Sequence, residues 1–127
     1  MIRSYLPSLG LLAVMLAFCI GNGRAVSEKT DQWQSQLRAS AALAAEEDWD
    51  AAAALLEESY ADWSERQTWL HIVIRHDVIN GAEAMYRRAM AFAAEEEPSE
   101  FQAETADLIS QLRFVAEMER FHIKNIL

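Results

Sequence analysis

The chain has 127 residues, a formal net charge of −9 and one cysteine, Cys19. That length allows one domain with a real core, and a lone cysteine excludes a disulfide framework. All 20 acidic residues lie beyond Ala25, against nine basic ones there, a surface that repels phosphates and anionic headgroups and so excludes a nucleic-acid partner.

Arg3 precedes an apolar run from Tyr5 to Ile20, interrupted by Pro7, Ser8 and Gly10 and followed by Gly21-Asn22-Gly23-Arg24-Ala25. A basic tip, an apolar core and then small residues are the components of an export signal. Residues 1–25 are therefore expected to be a signal anchor or signal peptide, with residues 4–23 in the membrane; Gly23 and Ala25 sit at cleavage-site spacing. An uncleaved anchor gives a single-pass protein at the cell membrane, N-terminus inside and domain outside, because no dense basic cluster follows the run to reverse it. Cleavage would instead give a secreted domain. Phe18 stands where a lipid-attachment site wants Gly or Ala, which argues against lipidation of Cys19.

Residues 26–127 read as the domain proper. Val26 to Glu47 is expected to be its first helix, capped by Ser27, with Glu28 and Asp31 in the first turn and Trp33, Leu37, Ala41 and Ala44 on the inner stripe. Glu46-Glu47-Asp48 ends it, and Asp48 caps the next. From there Trp49, Ala53, Leu56, Tyr60, Trp63, Gln67, Leu70 and Ile74 recur at alternating steps of 4 and 3, the seam of a long central helix, polar only at Gln67. Asp62 and Arg66 form an i, i+4 ion pair on it. The run Ile72-Val73-Ile74 suits a strand, but no second strand exists to pair with it, so it is kept helical.

The chain reverses at Asp77 to Gly81, where Asp77 and Asn80, the latter with Glu83 at capping-box spacing, compete to cap the third helix. That helix carries Val78, Ala82, Met85, Ala89 and Phe92 inward and Arg87 and Arg88 outward. Glu95-Glu96-Glu97 is badly placed at a helix C-terminus, which argues for fraying. Pro98 stops the helix, and Ser99 with Gln102 forms a second capping box. The last helix buries Phe101, Thr105, Leu108, Leu112 and Val115, widened by Ile109 and Met118, and is expected to end near Arg120, with the apolar ending docked on the body. The fold class is all-α: an antiparallel four-helix bundle of two helical hairpins behind an N-terminal signal or transmembrane helix. Leu43 to Asp48 also resembles Phe92 to Glu97, 49 positions on, as two hairpins with similar turns would.

Candidate chemistry is sparse. His71 and His76 lie about 140° apart around a helix, and without a second cysteine a zinc site lacks its usual ligands. No serine sits in a Gly-x-Ser-x-Gly elbow, no glycine-rich phosphate loop exists among four glycines, and no calcium loop surrounds the acidic turns. Adjacent carboxylates such as Glu46-Glu47 and Glu95-Glu96 point apart on a helix and serve solvation. No catalytic, cofactor or metal residue is assigned, and the chain is expected not to be an enzyme.

The run Trp69 to Glu83, with His76-Asp77 ahead of a helix, and the ending Ile123-Lys124-Asn125-Ile126-Leu127 resemble an uncharacterised family, a domain of unknown function in small Gram-positive bacterial proteins with one N-terminal apolar segment and a helical domain behind it. The resemblance spans Trp49 to Leu127. It implies an envelope location and brings no activity or catalytic residues. The expected function is a non-catalytic, membrane-tethered structural or protein-interaction module with an unknown protein partner. The surface chosen for that partner is His76, Asp77, Asn125, Ile126 and Leu127, because both segments carry the resemblance. The alternatives are a tetratricopeptide-like peptide-binding scaffold, suggested by the alanine-rich hairpin with Trp49-Asp50-Ala51-Ala52 opening its second helix, and, behind it, an enzyme of unknown reaction.

Overall fold

A computed structural model describes residues 2–66 and 76–126, with the side chains of residues 2–5, 19, 20, 22, 23, 76 and 119–126 outside the description. Among the described residues the chain is all helical: α1 (Ile2–Ala45), α2 (Trp49–Glu65), α3 (His76–Ala94) and α4 (Pro98–Ile126). Each helix packs on its neighbours in chain order, and α4 returns to pack on α1. Alternating directions leave the α1–α2 and α3–α4 turns side by side at one end.

Helix α1 is one continuous rod. No break occurs at Gly21 to Ala25, and Ser27 is an interior residue whose carbonyl accepts from the Thr30 hydroxyl at 3.0 Å, not the expected cap. A helix already propagating crosses isolated glycines, since each costs only about 1 kcal/mol against alanine. The rod has two halves. Leu6, Leu9, Leu11, Leu12, Val14, Met15 and Phe18 are each 57–73% exposed. From Val26 onward the inner face is buried, through Thr30, Trp33, Leu37, Ser40 and Ala44. Among the described residues no helix is long and apolar enough to cross a membrane.

The core fills from all four helices. Trp33 and Leu37 of α1, Leu56 and Trp63 of α2, Ile79 and Tyr86 of α3, and Phe101, Leu108 and Leu112 of α4 are fully or nearly fully buried. Burying each aliphatic side chain among these stabilises by roughly 1.5–3 kcal/mol. The expected α4 seam matches: Phe101, Thr105, Leu108, Leu112 and Val115 are all buried. On α2 the most buried line is Ala52, Leu56, Ser59 and Trp63: Leu56 and Trp63 are as expected, while Ala52 and Ser59 replace Ala53 and Tyr60, which are half-buried. Small residues at 52 and 59 let α1 and α3 approach, and their polar atoms are matched. The Ser40 hydroxyl of α1 donates to the Ala52 carbonyl at 2.7 Å, and Ser59 and Tyr86 share a 2.8 Å hydrogen bond.

Several helix ends differ from expectation. Helix α2 stops at Glu65, not Ile74: the Arg66 N–H turns to the Trp63 carbonyl, three residues back, and the chain leaves the helix. Gln67, Leu70 and Ile74, and with them the rest of the expected seam and its strand alternative, lie outside the described residues. Helix α3 opens at His76, so Asn80 and Gly81 are interior and Asp77 occupies the first turn. Gly81 marks a close approach of α4, where an added Cβ would come within 3.3 Å of the Gln111 amide that donates to the Val78 carbonyl. Helix α4 opens at Pro98, whose missing N–H is no loss at a first helical position. The Glu97 carbonyl receives the first intrahelical bond, from Phe101. Ser99 is therefore not the cap, and Gln102 is used elsewhere. The helix continues to Ile126, past the expected end at Arg120.

The two turns are built alike. At the first, Glu47 has φ 65° and the N–H groups of Glu47 and Asp48 bond the carbonyls of Ala44 and Leu43. At the second, Glu96 has φ 53° and Glu96 and Glu97 bond Ala93 and Phe92 in the same way. This is the Schellman closure, which occupies the last carbonyls and leaves Glu95 to Glu97 ordered rather than frayed. Asp48 then caps α2, accepting from the Ala51 N–H at 3.3 Å. A left-handed conformation strains any residue with a Cβ. Glu47→Gly and Glu96→Gly are each expected to raise stability by about 0.5–1 kcal/mol. Thermal melts of the two variants check this, and a fall in Tm of either would show that its glutamate does more than occupy the turn.

Candidate functional site

The two turns enclose a groove of about 790 Å³ between the hairpins. Ala44, Ala45 and Glu47 line it from the α1 side and Trp49 from the start of α2, facing Glu96, Pro98, Ser99 and Gln102. Trp49 is half-buried and meets Phe101 edge to face, ring centroids 5.4 Å apart, which fixes the indole at the groove wall. The two rings are the residues at matching positions in the internal echo, 52 positions apart. Residues 39–48 and 88–97 supply the same turn twice, and three added residues in α4, close to one helical turn, keep Phe101 on the face that Trp49 takes in α2. Gln102 donates from Nε2 to the Ala41 carbonyl at 2.8 Å, clamping α4 onto α1 just behind the groove.

The electrostatics of this end are one-sided. Residues 39–52 and 89–103, which build it, contain eight acidic residues and no Lys, Arg or His. Glu46, Glu47, Asp48, Asp50, Glu95, Glu96, Glu97 and Glu100 are all exposed around the turns. Among the described residues no group of three His, Cys, Asp or Glu is placed to hold a metal ion. The arrangement offers an aromatic wall and carboxylates spread over a rim, which suits an extended cation better than a point charge.

A second polar cluster lies along the α1–α2–α3 seam. Asp62 accepts from the Trp33 indole N–H at 2.8 Å and from Lys29 at 3.3 Å, with Arg66 at 3.6 Å. Burial pushes the Asp62 carboxyl up, but the Trp33 and Lys29 hydrogen bonds and the Lys29 and Arg66 charges outweigh it and hold the group below its ordinary value. The Tyr86 ring lies tilted against Trp63 and Tyr60, its centroid 5.3 Å and 5.5 Å from theirs. Burial raises its phenol well above the ordinary value, more than the Ser59 hydrogen bond lowers it. The Tyr60 phenol donates to Glu83 at 2.8 Å, a bond that raises its pKa, and Glu83 also pairs with Arg87 at 3.0 Å. These groups tie helices together: each polar atom named is directed at another helix or its own, and the phenols stay protonated.

The sequence-chosen surface is distributed as follows. His76 and Asp77 open α3, with Asp77 exposed. Asn125 and Ile126 close α4. The side chains of His76, Asn125 and Ile126, and all of Leu127 and His71, lie outside the described residues. The Gln111–Val78 bond sets the register between α3 and α4. Measured from it along the helix axis, Asn125 lies roughly 20 Å further on at about 1.5 Å per residue. The groove was missed by sequence reasoning. Its signal was the paired Glu-Glu turns and the Trp49/Phe101 echo, which named the hairpins but not that their turns lie side by side.

The description "Domain of unknown function (DUF4363)" matches residues 21–126. The chain belongs to this family. The matched region takes in the alanine-rich first hairpin as well as the segments that carry the resemblance, so the family domain contains both turns and the whole groove. No curated protein and no solved structure matches the chain.

Proposed function

We propose that the chain is a non-catalytic, membrane-tethered protein-interaction module of the cell envelope, an antiparallel four-helix bundle whose first helix continues directly from the tether. The observation that carries this is the N-terminal half of α1. Seven large apolar side chains there are exposed, on every side of the rod, although a helix apolar all round belongs in a core or a membrane. In sequence the run continues through Cys19 and Ile20, toward the roughly 17–25 residues that a span requires. Neighbour packing around the ring, α1 to α2 to α3 to α4 and back, supports the bundle. The groove between the turns supports an interaction role and gives the peptide-scaffold reading its physical basis, without the repeat array of a tetratricopeptide protein.

The test uses the full chain with Cys19→Ser and Ser64→Cys, since Ser64 is exposed on α2. The protein is expected in the membrane fraction, resistant to alkaline extraction, and labelled by an impermeant thiol reagent on intact cells. Labelling only after lysis would reverse the topology. A shortened chain in the medium would replace the anchor by a cleaved signal, and a full-length chain in the soluble fraction would overturn the tether.

A further inference from the structure

We infer that the groove between the two turns is a docking site for a basic peptide segment of a partner protein, with a lysine or arginine side chain seated against Trp49 between Glu47 and Glu96. This rests on the interaction-module reading and names the chemistry of the partner.

Three observations converge. The groove holds about 790 Å³, far more than one ammonium group needs and enough for several residues of a chain. Its wall includes an indole held in a T-shaped contact with Phe101, and an aromatic ring near carboxylates attracts a guanidinium or ammonium. The charge around it is one-signed: the two segments that build this end, residues 39–52 and 89–103, carry eight acidic residues without one cation of their own. Elsewhere the carboxylates have partners in the fold, as Asp62 has Lys29, Glu83 has Arg87 and Glu104 has Arg88. An anion-rich groove steers a cationic segment toward it and rejects acidic ones. The same charge repels nucleic acid. Gln102, held through Nε2 by the Ala41 carbonyl, keeps Oε1 as an acceptor for a peptide N–H. Glu47 and Glu96 occupy equivalent backbone positions in the two turns, one on each side of the groove, so cations at two points along one segment are accommodated.

The test titrates the full chain, in detergent micelles, with a fluorescein-labelled nonapeptide of alternating arginine and alanine, against a glutamate analogue of equal length and against spermine. Backbone and indole NMR shifts locate the binding. The arginine peptide is expected to bind, with shifts centred on Glu47, Trp49, Glu96 and Ser99, and the glutamate peptide to fail. Glu47→Gln with Glu96→Gln is expected to weaken binding about tenfold, as is Trp49→Leu, a change of about 1.4 kcal/mol. Glu57→Gln with Glu58→Gln removes the same charge from an exposed stretch of α2 and is expected to change binding less than about twofold. Equal weakening by both double variants would mean undirected charge attraction and would overturn the site. So would no binding, or shifts centred elsewhere. Displacement of the peptide by spermine at equal concentration would make this a polyamine site and overturn the peptide. Should crosslinking in cells find a partner on another face while the peptide fails to bind, the interaction module stands and this site falls.

Discussion

Trp63→Ala is expected to lower the unfolding free energy by about 3–5 kcal/mol, measured by urea denaturation of the detergent-solubilised chain. Trp63 is 1% exposed and sits where α2 meets α3, its ring 5.3 Å from Tyr86 and 6.1 Å from Tyr60. Truncation removes the largest fully buried side chain of α2 and leaves a cavity that two anchored tyrosines cannot fill. Tyr86 is held by Ser59 at 2.8 Å and Tyr60 by Glu83 at 2.8 Å, so neither ring relaxes into the space without breaking a hydrogen bond. Domains of this size have about 5–15 kcal/mol in total, so the variant should be near the limit of folding. Trp63→Phe keeps part of the stacking and should cost less than half as much. A loss below about 1 kcal/mol for the alanine variant would show that this seam is not core.

Asp62→Ala is expected to cost about 2–3 kcal/mol at neutral pH and distinctly less in acid. The carboxylate accepts from the indole N–H of Trp33, a residue with no exposed surface, and it also holds Lys29. Losing it strands a buried donor and a nearby cation. The pH dependence follows from the direction of the shift. The folded carboxyl titrates below its ordinary 3.8, so its ionised contribution is fully present above that value and is lost as the pH falls through the lower, folded one. The gap between wild type and Asp62→Ala should therefore narrow on acidification below about pH 4. Asp62→Asn keeps an acceptor for Trp33 and should cost less at neutral pH, while showing a similarly shallow acid response. Urea unfolding of the three proteins at neutral and acid pH measures this. A gap that widens in acid would mean that Asp62 is held above its ordinary value and that burial dominates.

The interior of this domain was legible because each helix carries its own period. The α4 seam from Phe101 to Val115 was read correctly because its residues recur at the helical step and are large and apolar except for the small Thr105. On α2, Leu56 and Trp63 are buried as read, but Ala52 and Ser59 take the deepest places that were given to Ala53 and Tyr60. Alanine at 52 and 53 and Ser59 beside Tyr60 give a periodicity rule little to choose between, and contact with α1 and α3 made the choice. The Ser40–Ala52 bond and the Ser59–Tyr86 bond reward the small residues, and neither is visible until the helices are side by side.

Helix ends were legible where a side chain closes them and illegible where the neighbourhood does. Asp48 caps α2 as its position suggests. Glu95 to Glu97 looked wrong for a helix end because only the dipole was weighed; the Schellman closure satisfies the carbonyls through the backbone, whatever the side chain. Arg66 ends α2 with no glycine or proline to announce it.

What the sequence determined by itself is therefore the class of the protein and its charge: helical periodicity, an apolar tip ahead of a strongly acidic domain, and two turns of the same kind 49 residues apart. These are local properties, set by neighbours within a few residues and by composition. What only the tertiary structure decided is which of those pieces meet. Trp33 finds Asp62 across 29 residues and Gln102 finds Ala41 across 61. The two acidic turns end up flanking one groove because alternating helix directions return both to the same end. Such meetings depend on register and crossing of whole helices, quantities that no single helix encodes.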